Sequence, residues 1–230
     1  MEEGGQSHWI PLSDLMTGLM MVFLLISIAF MVRVEDAARV STTIVTDYEN
    51  TKSDLLNALQ EEFKDDLKRW NADILGDLTV RFREPEVLFA TGSADLRDRF
   101  KEILRDFLPR YVRILTSEKY RSSIREVRIE GHTSSIWTTA HSFDDAYMRN
   151  MELSQARTLR TLEFMLSLDT LKGNLDWLRS VTTANGLSSS RPIKGADGKE
   201  DPLLSQRVEF RVVTNAEEKM RQLLDNVVKR

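Results

Sequence analysis

The hydrophobic residues of this chain are concentrated near its start, within "WIPLSDLMTGLMMVFLLISIAFMVR". The run is 23 residues long if it is counted from Ile10 to Val32 across the single charge at Asp14, and its last 18 residues carry no ionisable group. This length is sufficient for a helix that crosses the hydrocarbon core of a bilayer. We therefore predict a tail over residues 1–9 and a transmembrane helix over residues 10–32.

The residues that flank this run indicate a retained anchor. No Lys or Arg precedes it and no small-x-small cleavage site follows it, whereas a secretory signal peptide has a basic start and such a site. Charge does not determine the orientation. Two glutamates precede the run, and Arg33 and Arg39 follow it, which gives no support for a cytoplasmic N-terminus.

A helical linker is predicted after the anchor, over residues 33–76. From residue 52 onward, apolar residues recur at intervals of three and four, which is the helical period; they are Leu56, Leu59, Phe63, Leu67, Trp70 and Ile74. The first part of the linker is richer in Thr, Ser and Val and is a weaker helix candidate.

Strand and helix periods alternate from residue 77 onward, which predicts a second domain over residues 77–215. In chain order we predict a strand or bent hairpin at 78–96, a helix at 97–115, a strand at 125–133, a helix at 151–168, strands at 178–187 and 206–214, and a terminal helix at 216–230. This order indicates an α+β sandwich in which helices cover one face of a mixed β-sheet.

Both long helices of this domain have an apolar face that we expect to be buried. In the first helix the expected residues are Phe100, Ile103, Leu104, Phe107 and Leu108. In the second they are Leu153, Ala156, Leu159, Leu162, Phe164 and Leu166.

Composition narrows the possible functions of the 230-residue chain. The net charge of −4 argues against direct nucleic-acid binding through bulk electrostatics. The absence of cysteine excludes disulfides and thiolate chemistry. We find no nucleophile–base pair, P-loop or metal-binding spacing, so we expect neither an enzyme nor a bound cofactor.

Four segments resemble the OmpA-like peptidoglycan-binding domain over about residues 78–214: "VLFATGSADL", "EGHT", "NMELSQAR" and "QRVEF". The family motif Asn-x-x-Leu-Ser-x-x-Arg is matched by Asn150, Leu153, Ser154 and Arg157, and residues 207–209 match the end of its Asn-Arg-Arg-Val-Glu motif. The resemblance implies that the ligand is the peptidoglycan stem peptide, which offers carboxylates and an amine.

The matched residue types suit that ligand. Arg157 can bind a carboxylate through two parallel hydrogen bonds, and we expect it one turn into a helix whose N-terminal amides favour anions. The family places an aspartate for the ligand amine after its Gly-His-Thr motif, but this chain has Ser134 there, after His132. A serine cannot form the ion pair, so Asp144 or Asp145 must substitute or the affinity is lower.

Structural alternatives remain open for these residues. Asn150 and Ser154 can serve as capping groups at a helix start, and Arg157 can be a surface arginine. His132 can be a structural, hydrogen-bonding histidine.

The stretch "PLSDLMTGLMMVFLL" resembles the membrane helix of MotB-type stator subunits of ion-driven motors, and its wording is similar to the MotB-like subunit of Zorya anti-phage defence systems. The resemblance implies that Asp14 carries the ion, either a proton or sodium, with Thr17 beside it. At 100° per residue, Asp14, Thr17 and Gly18 share one helix face, where small residues permit a close neighbour. The alternative is that Ser13 or Asp14 caps a helix that begins at Leu15.

A single spanning helix cannot form an ion path. The resemblance therefore implies a multi-spanning partner of the MotA or ZorA type around a homodimer of this chain, with residues 33–50 as a possible plug. It also implies a bacterial inner-membrane protein with a cytoplasmic N-terminus and a periplasmic C-terminal domain. Two alternatives are a passive cell-wall tether without ion transport and a flagellar stator.

Overall fold

The computed structural model describes residues 9–83, 85–90 and 92–215. These residues form two compact units, 9–48 and Glu49–Asn215. The predicted tail up to residue 8 and the predicted helix at 216–230 lie outside the described residues.

Helix α1 extends from Trp9 to Phe63. Its segment Ser13–Asp36 is long and apolar enough to cross a membrane, and every side chain of that segment is exposed in the isolated chain. Because Asp14 lies more than one turn after the first residue of α1, the start of the helix argues against the interpretation that Ser13 or Asp14 caps it.

The second unit is built on a five-stranded sheet in the order β1-β2-β5-β3-β4. The strands are β1 Ala72–Ile74, β2 Thr79–Phe82, β3 Ile124–His132, β4 Thr182–Gly186 and β5 Arg207–Thr214. Strands β3 and β4 are parallel and the other neighbours are antiparallel. The predicted mixed sheet is confirmed, with the last strand of the sequence at its centre.

Among the described residues of this unit there are six α-helices besides the end of α1: α2 Leu67–Trp70, α3 Pro85–Leu88, α4 Asp98–Leu115, α5 Phe143–Ser167, α6 Leu175–Val181 and α7 Pro202–Ser205. Two of them replace predicted strands. The hairpin expected at 78–96 is strand β2 followed by α3, whose first residue is a proline, a residue favoured at that position. The strand expected from residue 178 begins only at Thr182, and the residues before it belong to α6, in which Leu178 is buried.

Alternation along the strands separates an apolar face from a charged one. The apolar face of the three inner strands and the buried face of α4 belong to one core cluster, which includes Val80, Phe82, Phe107, Val127, Ile129, Phe210 and Val212. All five α4 residues expected to be buried are buried. The residues between the apolar strand positions are mostly charged, so helices cover one face of the sheet as predicted.

Helix α5 differs from the prediction because it packs through small and polar residues. Leu159 is 47% exposed, whereas Ser154, Thr158 and Thr161 are completely buried. The cause is close contact with the sheet: a Cβ added to Gly131 would lie 2.7 Å from Cγ2 of Thr158. Larger side chains on this face of α5 would push the helix away from β3 and β4.

The end of α1 contributes to the core of the second unit. Leu55, Leu59 and Phe63 are at most 1% exposed and belong to the same core cluster as the sheet. Arg110 of α4 donates to a carboxylate oxygen of Glu62 at 2.7 Å and lies 4.8 Å from the ring centroid of Phe63. The compact unit therefore includes residues from Glu49 onward, within the segment 33–76 expected to be a linker.

Candidate functional site

A cleft of about 450 Å³ opens beside the end of β3. It is bounded by the residues that follow β3, by the middle of α5, by the turn around Phe89 and by the start of α7. Four of the residues predicted from the sequence line it together: Ser134, Asn150, Leu153 and Arg157. The predicted ligand-binding residues therefore meet at one cavity, with the exception of His132.

Arg157 is the one charged residue among the described residues that line the cleft. It is 5% exposed, so it is not the surface arginine of the structural alternative. Its Nε donates to the carbonyl oxygen of Ser93 at 2.9 Å, Nη2 lies 3.5 Å from that of Ala90, and the guanidinium carbon lies 4.8 Å from the ring centroid of Phe89. These partners are neutral, and none of the ion pairs between described residues includes Arg157.

Burial lowers the pKa of Arg157 to about 10, because removal of water disfavours the charged form. The side chain is still protonated at neutral pH. The cleft therefore contains a buried cation that is held by carbonyl dipoles, and Nη1 takes part in neither of the two described hydrogen bonds. This arrangement favours an anionic ligand group.

Two further residues of the cleft lining each have a buried polar atom without a hydrogen-bond partner among the described residues. They are Asn150, through Nδ2, and Thr133, through Oγ1, and both residues are 3% exposed. Because most buried polar atoms in proteins are hydrogen-bonded, these two atoms are exceptions within the wall of the cleft.

Helix α5 begins eight residues earlier than the helix predicted at 151–168. Ser142 caps α5 and accepts a hydrogen bond from the backbone N–H of Asp145. Asn150, Ser154 and Arg157 therefore lie two or more turns inside the helix, and neither the capping interpretation nor the contribution of N-terminal amides to anion binding applies. Ser154 has a structural role, because its hydroxyl accepts from the backbone N–H of Ser188 at 3.0 Å.

Acidic residues close to the cleft in sequence are engaged elsewhere. Asp145 accepts from Arg149 at 2.7 Å, and Asp144 is exposed. Glu200 accepts from the backbone N–H of Ser135 at 3.0 Å and also from the hydroxyl of that serine. None of the three lines the cleft, so the structure does not place Asp144 or Asp145 as a substitute for an aspartate at position 134.

His132 lies outside the cleft, on the charged face of the sheet. Because Gly131 faces α5, its neighbours in β3 face the opposite side. The Nε2 atom of His132 lies 3.4 Å from Oε2 of Glu209 and 3.8 Å from Oε2 of Glu130. This buried position supports a structural role for the histidine, but neither ring nitrogen has a hydrogen-bond partner among the described residues.

The same face carries a buried ion-pair network. Glu209 is bonded to Arg207 at 2.6 Å and to Arg81 at 2.7 Å, and Arg191 lies 3.2 Å from Glu130. Burial opposes the charge of Glu209, but the nearby ring of His132 and the charge of Arg207 hold its pKa well below its ordinary value. The ligand atoms of Glu130, His132 and Glu209 lie within 4.8 Å of one another, yet arginines already neutralise both carboxylates, which disfavours a metal ion.

The predicted ion-carrying residues lie on the exposed surface of α1. Asp14, Thr17 and Gly18 are all exposed, and a Cβ added to Gly18 would meet no atom within 4 Å. The hydroxyl of Thr17 donates to the backbone carbonyl of Ser13 at 2.8 Å. The face beside Asp14 is therefore open to a neighbouring helix.

Two walls of the cleft were not predicted from the sequence. Phe89, which contacts the guanidinium of Arg157, precedes a turn in which Gly92 has a φ of 68°. Leu203 comes from the segment between the strands predicted at 178–187 and 206–214. The Thr-Gly-Ser sequence after Phe89 was the available signal for the first wall, whereas nothing near position 203 indicated the second.

The sequence and the fold were compared with those of known proteins. No family model matches the sequence. The Zorya protein ZorB of Escherichia coli is 46% identical over 218 residues, which are 94% of this chain and 92% of that protein. A putative MotB-like protein from Desulfovibrio vulgaris matches with a TM-score of 0.51 and 20% identity over 75% of this chain and 94% of the other, which confirms the fold. The cell wall anchor of the T6SS from Pseudomonas aeruginosa is 25% identical, with a TM-score of 0.46, over 68% of this chain and 96% of that chain. Since a relative of this identity extends over nearly the whole of both proteins, the chain belongs to the ZorB family of Zorya proteins.

Proposed function

We propose that the cleft binds a carboxylate of the peptidoglycan stem peptide and so anchors the protein to the cell wall. The observation that carries this proposal is the buried guanidinium of Arg157, which has only neutral partners among the described residues. A ligand carboxylate supplies the negative charge that the described partners of Arg157 lack.

Sedimentation of the purified chain with peptidoglycan sacculi tests this proposal. We expect Arg157→Met to abolish co-sedimentation, because Met retains much of the packing volume but donates no hydrogen bond. The matched control is Arg160→Met, one turn further along α5, where the side chain pairs with Glu163 and is 57% exposed. Unchanged co-sedimentation of the Arg157→Met chain would refute the assignment of the cleft.

We further propose that the chain is a stator subunit of an ion-driven motor in the bacterial inner membrane, in which Asp14 takes up and releases a proton or sodium ion with Thr17 beside it. An intramembrane carboxylate is costly unless it faces protein or water. Asp14 lies in the segment of α1 that is apolar enough to span a membrane, and its helix face is open. A multi-spanning subunit of the MotA or ZorA type and a second copy of this chain would cover that face. The wall-binding unit is then periplasmic and the N-terminus cytoplasmic.

Replacement of Asp14 by Asn tests the motor proposal, since it removes the titration with little change in shape. We expect loss of protection against phage on plates while the complex with the multi-spanning subunit still co-purifies. Asp36→Asn, at the other end of the apolar segment, is the matched control and should retain function. Retained protection by the Asp14→Asn chain, together with its loss in the Arg157→Met chain, would identify a passive tether. Loss of swimming instead of phage protection would identify a flagellar stator.

A further inference from the structure

The charge balance of the cleft suggests which form of the stem peptide it accepts. A diamino-acid residue in the wall has a carboxylate and an amine, and that amine is either free and positively charged or acylated and neutral. We propose that the cleft selects the carboxylate of a residue whose amine is acylated, as in a cross-link, over the same residue with a free ammonium. This inference rests on the proposed wall-binding function and concerns the specificity of the same site.

The lining gives a free ammonium no ionic partner. Arg157 is the one charged residue among the described lining residues, so the cleft carries a net positive charge before the ligand enters. A ligand carboxylate neutralises that charge. An ammonium on the same ligand residue would restore a net positive charge inside a partly dehydrated site, where like charges repel more strongly than in water.

The position at which an acidic side chain could form an ion pair with the ammonium holds a neutral residue. Ser134 is 6% exposed and lines the cleft directly after Thr133. Glu200 does not line the cleft, and its carboxylate accepts hydrogen bonds from the backbone N–H and the hydroxyl of Ser135. Asp201 is similarly occupied, since it caps α7 by accepting from the backbone N–H groups of Leu203 and Leu204 at 3.0 Å.

The rim of the cleft provides a surface for the remainder of an acyl substituent. Ile136 is 60% exposed and Leu203 is 65% exposed, and both line the cleft together with Trp137 and Pro202. A peptide joined through the amide can bury part of this apolar rim, whereas a free ammonium has no apolar group to bury there.

Calorimetric titration of the full chain in detergent tests this selectivity. The two probes are a synthetic stem tripeptide ending in diaminopimelic acid with a free distal amine, and the same tripeptide with that amine acetylated. We expect the acetylated probe to bind tighter by a factor on the order of five or more, from the removal of one like charge. Equal or tighter binding of the free-amine probe overturns the inference but leaves wall binding intact. Binding of neither probe, or equal binding by the Arg157→Met chain, overturns both.

A variant with an added charge makes the test independent of absolute affinity. Ser134→Asp places a carboxylate in the lining and should reverse the preference, so that the free-amine probe binds tighter. Ser190→Asp adds the same charge at an exposed position outside the lining and should leave the preference unchanged. If Ser134→Asp does not fold, the comparison of the two probes on the unaltered chain decides the question alone. An unaltered preference in a folded Ser134→Asp chain would contradict the assigned role of position 134.

Discussion

Replacement of Arg157 by Met should change the stability of the fold very little, although the residue is buried. Burial lowers the pKa of Arg157 from 12.5 to about 10. At about 1.4 kcal/mol per pKa unit, the charged guanidinium is destabilised by roughly 3 kcal/mol in the folded state. Because the folded-state pKa is the lowered one, this penalty is present at every pH below about 10 and disappears only as the pH rises further.

Two contacts of the guanidinium offset this penalty. A hydrogen bond from a charged group contributes about 1.5–3 kcal/mol, and the one to the carbonyl oxygen of Ser93 is 2.9 Å long. A cation over an aromatic ring contributes about 0.5–2 kcal/mol, as for the contact with Phe89. The gain and the loss nearly cancel, so we expect Arg157→Met to change the free energy of unfolding by no more than about 1 kcal/mol.

Urea unfolding of the full chain in detergent, followed by tryptophan fluorescence, measures this change. Arg160→Met is the control for an exposed arginine on the same helix and should also have little effect. A soluble stem peptide at a hundred times its dissociation constant should stabilise the unaltered chain by about 2.7 kcal/mol and the Arg157→Met chain not at all. A loss above about 2 kcal/mol on replacement of Arg157 would refute the reasoning, because the arginine would then be a structural residue like the core side chains.

Three further predictions concern the packing and charge of the second unit. Gly186→Ala should lower the free energy of unfolding by about 1–3 kcal/mol, since its Cβ would lie 2.6 Å from Cα of Gln155. The control is Gly173→Ala, because the space around Gly173 is open. Equal effects of the two variants in urea unfolding would refute this account. Phe63→Ala should cost about 3–5 kcal/mol, and a change near zero would show that the end of α1 is not part of the core. The charge of Glu209 should contribute its full stabilisation above the ordinary pKa of the residue, 4.5, and this contribution should decrease as the pH falls below it, because the folded-state pKa is lower. Glu209→Gln should therefore flatten the pH dependence of thermal unfolding between pH 3 and 6. An unchanged slope would contradict the assignment.

Helix α4 and the central strands β3 and β5 were accessible from the sequence because each has a clear local period, whereas β1 lies within the segment predicted to be a helical linker. The apolar positions of α4 are buried as expected, and the mixed sheet forms from the strand at 125–133 and the final strand. The packing of α5 was accessible only in part. Leu162, Phe164 and Leu166 are partly buried against the core as expected, but Leu159 is exposed. The closest contacts of the helix with the sheet are at Gly131 and Gly186, which lie on strands on either side of it in sequence, so the leucine pattern within the helix does not indicate them.

The candidate site shows a similar division. A motif placed Asn150 and Arg157 together, and both line the cleft. Helix α5 begins at Phe143, seven residues before Asn150, because Ser142 caps it. This cap was not predicted from the sequence. The contact between Phe89 and Arg157 joins residues that are far apart in the chain, and no local pattern encodes such a contact.

Charge compensation separates the ligand-binding arginine from the structural ones. Arg207 belongs to another motif of the same resemblance and is about as buried as Arg157, but it is bonded to Glu209 at 2.6 Å. Arg110 is likewise paired with Glu62 and Asp66 at 2.7 Å. Removal of either of these arginines takes one cationic partner from a buried or half-buried carboxylate, whereas removal of Arg157 leaves only backbone carbonyls. A motif match alone cannot make this distinction, because it depends on which charge each guanidinium meets in the folded chain. Arg157 is the buried cation whose described environment is incomplete without an anion, and this incompleteness is the physical basis for assigning it to ligand binding.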